Sequence, residues 1–212
     1  MQIAIVVYPA FTALDVIGPY EVLGRMPGAE IVFVAEQAGL VTDDAGRLTL
    51  QAVDLDDVVA PDVVLIGGGP GQPAQMVDGR LREWLRSADL TSTWTSAVCT
   101  GTLILAGAGL LDGREAATHW LATEKLAELG VMPSTQRVVV DGKYATGAGV
   151  SAGIDMALTL AGLIVGDETA QAIQLIVEYS PQPPYDAGTP QSAPGHLVTR
   201  LTDRRQELLG HL

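Results

Sequence analysis

The chain has 212 residues, 48% of them hydrophobic, a formal net charge of −13 and one cysteine. That composition suits a globular α/β chain with a substantial core, and the charge disfavours nucleic acid, whose phosphates need a basic surface. One cysteine excludes an intrachain disulfide framework and points to a reducing compartment, the cytoplasm.

The N-terminal residues lack a basic leader and read as a strand, not a signal peptide. No apolar run approaches the ~20 residues that span a bilayer. Residues 2–8 form a nearly continuous apolar run, as in a strand buried on both faces. Residues 15–26 have a helical pattern, 30–35 read as a second strand, and 40–52 as a small hairpin around Thr42 to Gly46. Residues 62–66 are another buried strand, closed by Gly67-Gly68-Gly69-Pro70-Gly71, and 72–87 are mostly helical. Residues 93–98 read as a strand that ends at Cys99, with a helix starting at Thr100. A short extended piece at 115–118 precedes a helix over 121–129. Asp141-Gly142 joins two strands as a hairpin. Helices over 152–165 and 168–179, a Pro-rich loop over 180–194 and a helix over 196–209 complete the chain. The alternation predicts one domain over 1–212, a mainly parallel sheet with helices on both faces. In such folds sites form beyond the carboxyl ends of strands, where the Asp15 loop, the glycine loop and Cys99 fall together.

Cys99 is the sharpest candidate. A strand turning directly into a helix is a nucleophile elbow, and unpaired backbone N–H groups there favour a thiolate, so a pKa below the free value of ~8.5 is expected. The alternative is an inert core thiol. The glycine loop lacks phosphate-loop spacing. It is either a tight strand exit or a way to bring the N–H groups of Gly68 and Gly69 to a reacting centre. Asp15 has apolar neighbours. It is either a helix N-cap or a desolvated carboxyl with a raised pKa, able to hold and release a proton. His119 falls at the same sheet edge, as a base for Cys99 or a supporting side chain. His196 and His211 read as surface residues, Asp155 as a structural acid in a first helical turn, and Asp54, Asp56 and Asp57 as a solvated loop. Three scattered histidines and one cysteine make no zinc site.

Several stretches together resemble the DJ-1/PfpI superfamily, and within it the isonitrile hydratases. They are Leu14-Asp15-Val16-Ile17-Gly18-Pro19-Tyr20-Glu21-Val22-Leu23, the Gly67 to Gly71 loop, Thr95-Ser96-Ala97-Val98-Cys99-Thr100-Gly101, residues 108–114, Ala117-Thr118-His119-Trp120, residues 152–158 and Glu178-Tyr179-Ser180-Pro181-Gln182-Pro183-Pro184-Tyr185-Asp186-Ala187-Gly188. The elbow and the Thr-His-Trp run also resemble regulators that carry an added DNA-binding domain. The resemblance implies a flavodoxin-like fold, a homodimer, Cys99 as nucleophile and Asp15 as its acidic partner, with His119 nearby but not required as a base. Thr100 stands where related peptidases have histidine, which argues against peptidase activity. The implied reaction adds water to a small isocyanide through a thioimidate on Cys99, with no metal or organic cofactor. Asp15 moves protons, and Thr100 with the loop N–H groups orients carboxyl and water. A glyoxalase or deglycase acting on small aldehydes, and a non-enzymatic ligand- or oxidation-sensing dimer, stay open as alternatives. The loop with Tyr185 and the Leu197-Leu201-Leu208-Leu209 stripe need a covering surface, within the chain or on a partner; the resemblance favours a partner.

Overall fold

A computed structural model describes residues 1–77 and 79–210. Chain order runs β1 (Gln2–Val6), α1 (Ala13–Leu23), β2 (Glu30–Ala35), β3 (Gly39–Thr42), β4 (Thr49–Asp54), β5 (Val63–Ile66), α2 (Gln72–Gln75) and α3 (Arg80–Thr91). It continues with β6 (Trp94–Val98), α4 (Gly101–Gly107), β7 (Glu115–Ala116), α5 (Thr123–Glu128), β8 (Met132–Pro133), β9 (Val138–Asp141) and β10 (Tyr144–Gly147). The helices α6 (Ala152–Val165), α7 (Asp167–Ile176), α8 (Gly195–Asp203) and α9 (Arg205–Leu209) follow.

The main sheet has the order β3-β4-β2-β1-β5-β6-β10-β9. Neighbours from β4 through β10 pair in parallel; the outer pairs β3–β4 and β9–β10 are antiparallel. Every residue of β5 is buried, as the sequence Val-Val-Leu-Ile requires of a central strand covered on both faces. Helices α1 and α6 pack on each other, α6 also contacts β6 and β10, and α2 and α3 pack against α4. The small pair β7–β8 forms a separate sheet. Among the described residues no helix is long and apolar enough to cross a membrane.

Several boundaries differ from the sequence reading. The segment over 72–87 is two helices, α2 and α3, with Gly79 between them in extended backbone. The C-terminal helix breaks at Arg204 into α8 and α9. Asp54, Asp56 and Asp57 are not merely solvated. Asp54 accepts from the Asp56 N–H at the start of a short 3-10 turn, and Arg80 pairs with Asp54 and Asp56 at 2.7 and 2.8 Å. Asp155 is a structural acid, bonded to Arg137 and to the Tyr179 hydroxyl. Tyr185 is 80% exposed, but the leucine stripe finds its cover within the chain: Leu209 is buried, and Leu201 and Leu208 are partly so.

Candidate active site

Sheet order reverses around β1, with β2 on one side and β5 on the other. The carboxyl ends of β1, β5 and β6 therefore converge at a topological switch point. The exit of β5 is a close approach of backbones. A Cβ on Gly68 would lie 2.5 Å from the Thr100 nitrogen and from its Oγ1, and 3.0 Å from Asp15 Oδ2. Gly69 has φ +143°, and a Cβ there would lie 2.5 Å from the Ala10 carbonyl oxygen. Only glycine lets the loop lie this near both the acid and the elbow.

Cys99 occupies the turn between β6 and α4 at φ +60°, a left-handed conformation that costs ~1–3 kcal/mol in a non-glycine residue. Its N–H donates to the carbonyls of Gly147 and Ala148 at 3.1 and 2.9 Å, and its own carbonyl accepts from Thr118 Oγ1 at 2.8 Å. These bonds on both sides of the residue hold the strained turn. The thiol is 3% exposed and receives backbone N–H groups of Val150 and Thr100.

Asp15 sits in the first turn of α1, where Thr12 is the N-cap, so Asp15 does not cap the helix. Its side chain is 0% exposed. The Gly68 N–H donates to Oδ2 at 2.8 Å, while Oδ1 is buried with no hydrogen-bond partner. Burial pushes its pKa up to about 7, opposed by the Gly68 N–H and by the neighbouring Cys99 thiol. The N–H of Gly69 donates to Thr100 Oγ1 at 3.0 Å. Both loop N–H groups offered to substrate by the sequence reading are thus engaged. They hold Asp15 and Thr100 in place instead.

The thiol differs most from expectation. Its pKa is raised, not lowered, first by burial and next by the negative charge of Asp15. The two N–H groups aimed at sulfur are outweighed. The two acids are coupled: an ionised Asp15 opposes a thiolate beside it, so the thiolate forms more readily when that carboxyl carries a proton.

His119 reaches the same cavity but its ring is not hydrogen-bonded to Cys99. Its Nδ1 accepts from the Leu121 N–H at 3.3 Å, and burial lowers its pKa to about 4, so the ring is neutral near pH 7. The cavity over Cys99 has a volume of about 310 Å³. Thr12, Asp44, Gly69 and His119 form its polar wall, and Trp120, Leu121, Val150, Leu201, Leu208 and Leu209 its apolar wall. His196 lies exposed on α8, and His211 lies outside the described residues. Among the described residues no cluster of three or more His, Cys, Asp or Glu is placed to hold a metal ion.

Sequence reasoning missed Tyr8, whose buried hydroxyl donates to the Gly67 carbonyl at 2.8 Å, and missed Asp44 and the C-terminal leucines. The run of apolar residues ending in Tyr8 was a usable signal, since a phenol at a strand exit needs a buried partner.

The model of the DJ-1/PfpI family matches residues 1–162. The chain is 39% identical to the isonitrile hydratase of Pseudomonas putida over 204 residues, covering 96% of this chain and 90% of that one. It is 38% identical to the HTH-type transcriptional regulator CdhR of Pseudomonas aeruginosa, over 47% of this chain and 30% of the regulator. A crystal structure of a ThiJ/PfpI family protein from Pseudomonas syringae superposes with a TM-score of 0.94 at 35% identity, covering 98% of this chain and 87% of that chain.

Proposed function

The chain belongs to the DJ-1/PfpI family, and we propose that it is an isonitrile hydratase that uses Cys99 as nucleophile and Asp15 as proton carrier. The carrying observation is the buried Asp15 carboxyl beside the thiol, with one oxygen unpartnered and a pKa of about 7. An acid so placed holds a proton at neutral pH and gives it up in one step.

The chemistry follows from that proton. With the proton on Asp15 and the negative charge on sulfur, the isocyanide carbon takes the proton as the thiolate forms the S–C bond. The product is a thioimidate, R–N=CH–S–Cys99, and Asp15 is left ionised. Asp15 then takes a proton from water as the oxygen attacks the same carbon, and returns it to nitrogen. Loss of the hydroxyl proton to Asp15 makes the formyl carbonyl, breaks the C–S bond and restores the thiolate with protonated Asp15. One isocyanide and one water give one N-substituted formamide. Thr100, held by the Gly69 N–H, keeps its hydroxyl beside this centre. His119, neutral and bonded to the Leu121 N–H, serves as wall and not as base.

The unpartnered Asp15 carboxyl oxygen beside the thiol supports this reading over oxidation sensing, which needs no proton carrier. The proposal places the enzyme in the cytoplasm, where a nucleophilic thiol stays reduced. It also takes the enzyme as a single-domain homodimer. The groove between α1 and α6, lined by Leu14, Ile17, Val22 and Ile154 together with the charged Glu21 and Arg25, suits a second copy.

Turnover of cyclohexyl isocyanide to its formamide, followed by NMR beside methylglyoxal, tests the assignment. Formamide production by the wild type and none by Cys99→Ser is expected. Consumption of methylglyoxal with no formamide formed would transfer the chain to the aldehyde-processing alternative.

A further inference from the structure

Among the described residues lining the cavity over Cys99, Asp44 is the one carboxylate, and no Arg or Lys lines it. The imidazole of His119 is neutral near pH 7, because burial lowers its pKa to about 4. We propose that Asp44 is a charge filter for the reacting thiol, so that the cavity admits neutral and cationic electrophiles and rejects anionic ones.

The carboxylate is held in place. Thr12 Oγ1 donates to Asp44 Oδ2 at 2.9 Å, and the Asp44 N–H donates to the Phe11 carbonyl at 2.9 Å. The Thr12 N–H donates to the Gly68 carbonyl at 2.8 Å, and the Gly68 N–H in turn holds Asp15. Asp44 is therefore tied by three successive bonds to the floor of the site. Asp44 is itself exposed to solvent, so added salt screens its field, while Leu201 and Leu208, which line the same cavity, offer no countercharge. Its charge is felt at the floor of the site: behind the larger effect of burial, Asp44 adds a smaller upward push to the pKa of Asp15 and of Tyr8. An anionic substrate entering this space meets the same field. Isocyanides with uncharged or cationic N-substituents are then the substrate class, while isocyanocarboxylates and 2-oxo acids are excluded. The isocyanide part rests on the hydratase reading; the filter does not.

Cys99 is the only cysteine, so alkylation of the folded protein reports access to this one thiol. Iodoacetamide is neutral and iodoacetate is anionic; each loses iodide as the S–C bond forms, so the ratio of their rates cancels changes in thiol nucleophilicity. At low salt the wild-type ratio of neutral to anionic rate should exceed that of a small free thiol by about fivefold or more, falling as salt screens the charge. Asp44→Asn keeps an acceptor for Thr12 and should lower the ratio by about fivefold; Asp44→Ser, as a second variant, should do the same. A ratio in both variants equal to that of the wild type would overturn the filter. The turnover ratio of cyclohexyl isocyanide to isocyanoacetate should fall in the same variants. If the wild type hydrates neither compound the hydratase reading fails, while the alkylation ratio still decides the filter.

Discussion

Two nearly inaccessible aspartates lie at opposite ends of the same sheet. Asp89, 9% exposed, sits by the amino ends of β6 and β10. Both its carboxylate oxygens are occupied. Thr95 Oγ1 donates at 2.7 Å, the Tyr144 hydroxyl at 3.0 Å, and Lys143 Nζ pairs at 3.1 Å while also donating to the Asp89 carbonyl. Arg114 lies over the Tyr144 ring, closing the cluster. Asp15, 0% exposed at the carboxyl end, has one backbone N–H, no cation and an orphaned oxygen. A satisfied buried acid holds elements together; an unsatisfied one is stabilised by taking a proton. The first kind belongs to the scaffold; the second is the one the proposed hydratase reaction uses.

Swapping each acid for its amide should separate the two roles most sharply. Asp15→Asn keeps an acceptor for the Gly68 N–H but cannot carry a proton. Isocyanide turnover should fall by ~10²–10⁴-fold with the fold intact, the usual weight of a general acid–base group. Asp89→Asn should leave turnover close to that of the wild type. Near-normal turnover in Asp15→Asn, measured beside circular dichroism of both variants, would remove the proton-carrying role.

The pH dependence is the next largest effect. The reactive arrangement, protonated Asp15 with ionised Cys99, carries one proton fewer than the fully protonated pair. Since Asp15 is the group that releases that first proton, at about 7, kcat/KM should rise with pH up to about 7 and level above it. No limb should report His119, whose pKa lies at about 4. Stability runs the other way. The folded-state pKa of Asp15 is raised, so between the unfolded value of ~3.9 and the folded value of about 7 the native chain keeps a proton that the unfolded chain has lost. Its contribution therefore declines as pH rises through that window. Denaturant titrations of wild type and Asp15→Asn at several pH values should show a steeper decline for the wild type.

At the scaffold end the effect is energetic, not chemical. Asp89→Asn weakens the pairing with Lys143 and leaves that ammonium, itself partly covered, short of its partner. A loss of ~1–3 kcal/mol is expected. Thermal unfolding reads it directly, and an unchanged midpoint would mean that the cluster carries little of the stability.

The contrast also marks what a sequence discloses. Cys99, the glycine loop and Asp15 were legible because each is local: a strand exit, a run of glycines, an acid among apolar neighbours. The parallel sheet was legible for the same reason, from buried runs such as that of β5. The direction of the thiol shift was not, since it depends on burial and on Asp15, more than eighty residues away. Nor was the engagement of the Gly68 and Gly69 N–H groups, which takes distances between three segments. Asp44 carries no motif, and the stripe holding Leu201 and Leu208 signals only a need for cover, not where it lies; a hairpin and two helices bring them over Cys99 only in the folded chain.

The smallest effect tests how rigidly the unsatisfied acid is held. Tyr8 is buried, and its hydroxyl donates to the Gly67 carbonyl, one residue before the N–H that binds Asp15. It touches no reacting atom, so it is a positioning residue. Tyr8→Phe removes one buried hydrogen bond and keeps the ring, which should lower turnover by about three- to tenfold, in line with a net ~0.5–1.5 kcal/mol. A purely structural loss would lower the unfolding midpoint and leave the pH profile in place. A positioning role predicts more. With the Gly67–Gly68 peptide less constrained, the Gly68 N–H holds the carboxylate less well, and the neutral acid is favoured. The rising limb of kcat/KM should therefore move to higher pH in Tyr8→Phe. An unmoved limb with a lowered midpoint would reduce Tyr8 to a core residue and leave the glycine loop to hold Asp15 unaided.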